Sequence, residues 1–169
     1  MSDSTKLPPL GPYNGQALDA LLELEGVNRV DTIVMAIAWP LSCRCRTADF
    51  LEGLTTPERV IVLVEKLHTD AYNAGFDGFF TNSWLHCGDV LEALRVIGRD
   101  DAAALLERAV SALGVAVGGA HEDVFDALDD EAAEEALDEL DDQYTALAWQ
   151  VTTSLFEFIK ENRDRVSIG

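Results

Sequence analysis

The stretch that most constrains this chain is residues 130–162, DEAAEEALDELDDQYTALAWQVTTSLFEFIKEN. Ala133, Leu137, Leu140, Tyr144, Leu147, Val151 and Phe158 recur at steps of three and four, with Leu155 one place off a strict heptad. That period predicts one long helix with an apolar stripe turned to a core. Over the first three turns the opposite face carries Glu131, Glu134, Glu135, Asp138, Glu139, Asp141 and Asp142, with no Lys or Arg among them. Beyond Asp142 the helix changes character. At about 100° per residue, Ala146, Trp149, Thr153 and Phe156 continue the direction of the carboxylates. The second half is then apolar on nearly all sides. Such a helix either runs through the middle of the domain or meets another subunit. The second alternative places Ala146, Trp149 and Phe156 in a homodimer interface.

The rest of the chain also reads as helix. Residues 16–24 carry Ala17, Leu18, Leu21 and Leu22 at helical spacing, and Gly26 can end the segment. Residues 30–39, VDTIVMAIAW, are apolar enough for a buried strand or a buried helix, and the helical neighbours favour helix. Pro40 is expected to stop it, with a loop over 41–46 and a short helix over 47–54. Thr56-Pro57-Glu58 is a start signal: Thr caps, Pro suits the first helical position, and Glu favours the positive end of the dipole. The helix runs on through Val60, Leu63, Val64, Leu67 and Ala71 to a break or bend at Ala74-Gly75. Further helices are expected over 89–97, ended by Gly98, and over 101–113, capped by Asp100 and ended by Gly114. A short helix over 122–128 is out of phase with the long one, so the two divide at Asp129-Asp130, where an Asp can cap. The fold class is all-α. A single domain is expected over 15–169, with an acidic helix pair over 121–142 and a flexible arm over 1–14.

A chain of 169 residues has length for one such domain. No run of about 18 apolar residues occurs, so no membrane span is expected. The first fifteen residues lack the basic start and apolar run of a secretory signal, which points to the cytoplasm. Cys43, Cys45 and Cys87 cannot all pair internally, and reduced thiols fit that compartment. Cys43-Arg44-Cys45 lacks the two-residue gap of zinc knuckles. Neither a metal nor a cofactor is expected.

The formal charge is −19. It argues against direct binding of nucleic acid or anionic lipid, both polyanions, and suits a basic partner. Its distribution says more. Glu122, Asp123, Asp126, Asp129, Asp130, Glu131, Glu134, Glu135, Asp138, Glu139, Asp141 and Asp142 put 12 carboxylates into residues 121–142, without a Lys or Arg. Residues 131–142 span about 17 Å of helix. Seven carboxylates there give about one per 2.5 Å, between duplex DNA (about 1.7 Å) and a single strand (about 3.4 Å). Like charges three and four apart, such as Glu131/Glu135 and Glu134/Asp138, together cost about 2 kcal/mol before screening.

Tyr72-Asn73-Ala74-Gly75-Phe76-Asp77-Gly78-Phe79-Phe80-Thr81-Asn82-Ser83 is the most distinctive segment. Its glycines and phenylalanines read as a tightly packed aromatic plug, and no phosphate-binding glycine pattern is present. The segment resembles the YNGGFxxFFxNS signature of a bacterial family of small acidic helical proteins that includes a DNA mimic. The likeness continues through Glu92-Ala93-Leu94, Ile97-Gly98, Ala102, Leu105, Leu106 and Ala109. Ala74 departs from the first glycine of the pair, and Trp84-Leu85-His86-Cys87 lengthens the following turn. The resemblance implies an all-α fold and a dimer. It implies DNA mimicry where the chain carries its own array of carboxylates.

Asn82, Ser83, His86, Cys87 and Asp89 lie close together, and Cys with His invites a thiol-nucleophile hypothesis. Asn and Ser at a helix junction more simply satisfy free backbone groups, and Asp89 suits a first turn. No catalytic residues are assigned. The expected function is a non-enzymatic one: the carboxylate face binds a basic DNA-binding protein, a transcriptional regulator or a nucleoid protein, in place of DNA. The alternative is a structural, oligomeric helical protein whose acidic face is only solvated.

Overall fold

The computed structural model describes residues 13–44 and 51–169. Among them the chain forms α1 (Leu18–Leu22), α2 (Val30–Arg44), α3 (Thr56–Ser83), α4 (Cys87–Val96), α5 (Asp100–Ala112), α6 (His121–Leu128) and α7 (Glu131–Glu161). Single 3-10 turns follow α3 at Trp84–His86 and α7 at Arg163–Arg165. There is no strand among the described residues, only an isolated bridge between Glu25 and Asn28. The all-α expectation holds, and α7 is the element that α2, α3 and α5 all pack against. One apolar cluster runs from Leu18 to Ile168. The arm expected over 1–14 lies outside the described residues up to residue 12. Tyr13 donates its hydroxyl proton to the Ile168 carbonyl at 2.8 Å.

Residues 30–39 are helical, but Pro40 does not stop the helix; it sits inside α2, which continues to Arg44. Proline in a helix interior costs about 3 kcal/mol. Burial of Ile37, Ala38 and Leu41 offsets it, each at 1% exposure or less. Arg44 fastens the end by donating to Glu58 at 3.0 Å and to the Ser167 carbonyl. Of the short helix expected over 47–54, residues 47–50 lie outside the described residues, and 51–53 form a turn.

The start of α3 is one residue earlier than expected. Thr55, not Thr56, is the N-cap: its hydroxyl accepts from the Glu58 N–H, while the Glu58 carboxylate accepts from the Thr55 N–H at 2.8 Å. This reciprocal box satisfies two orphan donors at once. Similarly Asp100 lies in the first turn of α5, and Arg99 occupies the cap. Arg99 is held there by the end of α4, where Gly98 takes φ +74 and the Arg99 N–H reaches the Leu94 carbonyl at 2.8 Å. That is the paired C-terminal closure that glycine permits. Asp130 caps α7, accepting from the Ala132 and Ala133 N–H groups at 3.0 and 3.2 Å.

The break at Ala74-Gly75 falls where the sequence places it. Ala74 (φ −151, ψ 24) and Gly75 (φ 66, ψ −168) leave helical geometry inside α3. Past the break, Phe76, Phe79 and Phe80 are completely buried.

Candidate partner-binding surface

The aromatic plug holds both acidic helices. Phe76 meets the Tyr144 ring of α7 edge-on, with centroids 5.6 Å apart, and Phe80 meets Trp84 edge-on at 5.8 Å. Trp84 donates its indole N–H to the Gly119 carbonyl at 2.9 Å. His121 Nε2 lies 3.4 Å from the Phe80 carbonyl oxygen. These contacts set the first turn of α6, and the buried Val124 completes its seat. The signature segment thus positions the surface without contributing to it.

Eleven of the twelve carboxylates are exposed: Glu122, Asp123, Asp126, Asp129, Asp130, Glu131, Glu134, Glu135, Asp138, Glu139 and Asp142. Among the described residues none of the twelve takes part in an ion pair. On α7, Glu131, Glu134, Glu135, Asp138, Glu139 and Asp142 fall within an arc of about 140° around the axis. Glu122 and Asp123 sit in the first turn of α6, and Glu131 and Glu134 in the first turn of α7, where the dipole favours negative charge. Phe125, 46% exposed and stacked on His121 at 4.6 Å, puts an aromatic ring among the carboxylates.

Asp141 departs from the expected row. Its carboxylate turns inward and accepts the Phe76 N–H at 2.7 Å. Burial pushes its carboxyl above the ordinary value, the neighbouring Asp138, Asp77 and Asp142 add to that, and the Phe76 N–H opposes it. In angle, Asp141 lies about 40° from Leu137, at the border of the apolar stripe. That position is the signal in the sequence that it faces two ways.

The three residues of the expected dimer interface separate. Ala146 is exposed and Trp149 is 56% exposed. Phe156 is 1% exposed, so its outward placement is corrected: it lies in the core, with Lys160 Nζ 4.8 Å above its ring. The second half of α7 is enclosed on more than one side, through Val151, Thr152, Leu155, Phe156 and Ile159. A projection of one isolated helix does not show where its neighbours close over it.

The thiol near His86 is unsuited to nucleophilic attack. Cys87 is fully buried, and burial pushes its thiol up to about 12. Ser83 donates its hydroxyl to Asp70 at 2.7 Å instead of facing Cys87. Cys43 is exposed and Cys45 lies outside the described residues. Among the described residues no three His, Cys, Asp or Glu side chains are grouped to hold a metal ion, and no helix is long and apolar enough to cross a membrane.

No curated protein and no solved structure matches the chain. The family described as DMP19-like protein matches residues 52–162, from the turn before α3 to the residue that ends α7. That span is more than half of the chain, and it holds the aromatic plug, the capped α4–α5 junction and both acidic helices. The chain belongs to the DMP19-like protein family.

Proposed function

We propose that the protein is a non-enzymatic, cytoplasmic interaction protein whose carboxylate face acts as a DNA mimic. It occupies the DNA-binding surface of a basic protein, a transcriptional regulator or a nucleoid protein. The observation that carries this reading is the row of eleven exposed carboxylates on α6 and the first half of α7, none of them in an ion pair among the described residues. With Asp141 turned inward, six outer carboxylates remain over the same length of α7, about one per 2.8 Å. That density stays between those of single-stranded and duplex DNA. Membership of the DMP19-like family is compatible with the same role.

The reading predicts how binding depends on salt. A partner held through surface charge is released as ionic strength rises. The dependence is milder than for DNA, because separated carboxylates hold fewer condensed counterions than phosphates. The test is a pull-down from lysate at low salt, eluted with a salt gradient. A basic, DNA-binding protein that is retained at low salt and released along the gradient supports the proposal; retention of no basic protein contradicts it.

A second reading rests on Trp149 and Ala146, which leave apolar surface on α7 outside the core. A homodimer through this side is compatible with the first reading, since it would leave the acidic first half of α7 uncovered.

A further inference from the structure

A different polar site lies where α2, α3 and α7 meet. Val60, Ile61, Val62, Leu63 and Val64 give α3 an unbroken buried run, and Glu65 and His68 follow it one turn apart. Glu65 lies four residues beyond the buried Ile61 and His68 four beyond the buried Val64, so each continues a buried face of α3. From α7, Tyr144 and Thr152 face the same region, and Asp31 comes from the first turn of α2. Between these elements is a cleft of about 440 Å³, lined by Arg29, Asp31, Glu65, His68, Tyr72 and Thr152. A cavity of about 260 Å³ shares Arg29, Asp31, His68, Tyr72 and Thr152 with it and adds Tyr144 and Trp149. None of the twelve carboxylates of the acidic face lines either one.

Three polar groups here lack what they need. The Tyr144 phenol oxygen and His68 Nδ1 are buried without a hydrogen-bond partner. Tyr144 as a whole is only 4% exposed. Leaving such a group unsatisfied costs about 1–3 kcal/mol. The third is the Glu65 carboxylate, whose hydrogen-bond donor is the Thr69 hydroxyl at a long 3.5 Å. The nearby cations are engaged elsewhere. Arg29 grips Asp31 through two hydrogen bonds, at 3.1 and 2.5 Å, and Lys66 pairs with Asp70 at 3.1 Å.

The missing group is a positively charged donor. Burial holds the His68 imidazole below its ordinary pKa, against the pull of Asp31, so the ring is neutral and one nitrogen can accept. The phenol oxygen can accept too, and the Glu65 carboxylate, once ionised by the ligand, accepts only. A primary ammonium carries three N–H donors and no acceptor, which matches three acceptors. An anion would meet Asp31 and Glu65, and a neutral alcohol would bring no charge against which the Glu65 carboxyl could ionise. Tyr72, 84% exposed, and Trp149, 56% exposed, stand at the rim as rings that can flank a cation and its stem. The volume falls within the range of small-molecule sites.

We propose that the two adjoining spaces together bind a primary ammonium on an alkyl stem, with Glu65 of the larger as its counter-ion, and with the Tyr144 phenol of the smaller and the His68 imidazole common to both as its hydrogen-bond acceptors. The phenol oxygen and Nδ1 are closed to solvent, so entry requires rim side chains to turn, and Tyr72 and Trp149 are exposed enough to do so. The site is independent of the acidic face and of the DNA-mimic reading.

The test is calorimetric titration of the full chain at pH 7 with 1-aminopentane, 1-pentanol, pentanoate and Nα-acetyl-lysine amide, in two buffers of different ionisation enthalpy. The amines should bind, and the alcohol and the carboxylate should not. Binding should release a fraction of a proton, because the Glu65 carboxyl, pushed up to about 7 by burial, ionises against the ammonium. The other titratable groups facing Glu65 are Asp31 and Arg29, Lys66 and Asp70, His68, Tyr72 and Tyr144. Glu65→Gln should weaken amine binding about tenfold or more and abolish proton release, and Tyr144→Phe should weaken it several-fold. A Glu65 side-chain carbon titration by NMR in the unaltered chain gives the same answer without a variant: its midpoint should fall when amine is added. Tighter binding of the lysine analogue assigns the ammonium to a polypeptide, and tighter binding of 1-aminopentane to a free amine; either order supports the site. Equal affinity in the unaltered chain and Glu65→Gln overturns it. So does amine binding that is lost in the acidic-face variant Glu134→Gln, Glu135→Gln, Asp138→Asn, Asp142→Asn.

Discussion

The Phe76 N–H donates to the Asp141 carboxylate at 2.7 Å, across the break in α3. The second part of α3 begins at this N–H, so Asp141 serves it as a cap supplied by another helix. The approach is close: a Cβ on Gly75 would lie 2.1 Å from Asp141 Oδ2. Gly75 also has φ +66, a conformation that L side chains rarely adopt. One glycine therefore satisfies two demands, and the acidic helix is fixed to the aromatic plug at that point.

Gly75→Ala is expected to destabilise the protein by about 2–4 kcal/mol, from backbone strain and loss of the Phe76–Asp141 bond. For a chain of this length that lowers Tm by about 5–15 °C. Asp141→Asn keeps an acceptor for the Phe76 N–H and removes a carboxylate that burial disfavours. It should retain the unaltered Tm and still compete with DNA, which separates Asp141 from the outer row. Calorimetry and the displacement assay check the two halves.

Glu58 is 2% exposed and accepts from the Thr55 and Ser167 N–H groups and from Arg44, at 2.8, 2.9 and 3.0 Å. Burial works against its charge, but the Ser167 and Thr55 bonds and Arg44 outweigh it, so its carboxyl lies below the ordinary value. A lowered carboxyl stabilises the fold above its unfolded pKa, and that stability is lost as pH falls through the folded one. Glu58→Ala should cost about 2–4 kcal/mol at pH 7, by chemical denaturation, because it leaves several donors unsatisfied. The deficit should shrink on acidification.

Glu65 behaves oppositely. Burial pushes its carboxyl from 4.5 to about 7. The folded state then binds the proton more tightly than the unfolded state, so stability falls as pH rises from about 4.5 to about 7, and the full penalty stands above that. The penalty is on the order of 3 kcal/mol. Glu65→Gln should raise Tm by about 5–10 °C at pH 8 and change it little at pH 4. An equal gain at both pH values would contradict the assignment.

Trp149→Glu places a charge on the exposed side of α7 without entering the core. If Trp149 and Ala146 form a homodimer contact, the unaltered chain sediments as a dimer at high micromolar concentration and the variant as a folded monomer. A monomeric unaltered chain contradicts the interface.

The long helix, its Asp130 cap, the break at Gly75 and the aromatic plug were legible in the sequence because each has a local cause: a period, a cap, a glycine. The errors came from contacts distant in sequence. Pro40 stays inside α2 because Ile37, Ala38 and Leu41 are buried and Arg44 reaches Glu58 and Ser167. Phe156 lies inside because neighbouring helices close over the second half of α7. The carboxylate row is legible as charge, yet a helical projection places Asp141 toward solvent, since it cannot show a backbone N–H waiting on α3. The cleft around Glu65, His68 and Tyr144 was missed; its signal was the polar pair following the apolar run from Val60 to Val64.

The most direct test of the central claim is a DNA-displacement titration, with a basic partner recovered from lysate and held on a labelled duplex. The unaltered chain should displace the DNA, less effectively as salt rises. The variant Glu134→Gln, Glu135→Gln, Asp138→Asn, Asp142→Asn should keep its helical spectrum, should be no less thermally stable because like-charge repulsion is removed, and should fail to displace. Displacement by that variant at the same concentrations as the unaltered chain would contradict the account and leave the acidic face a solvated surface.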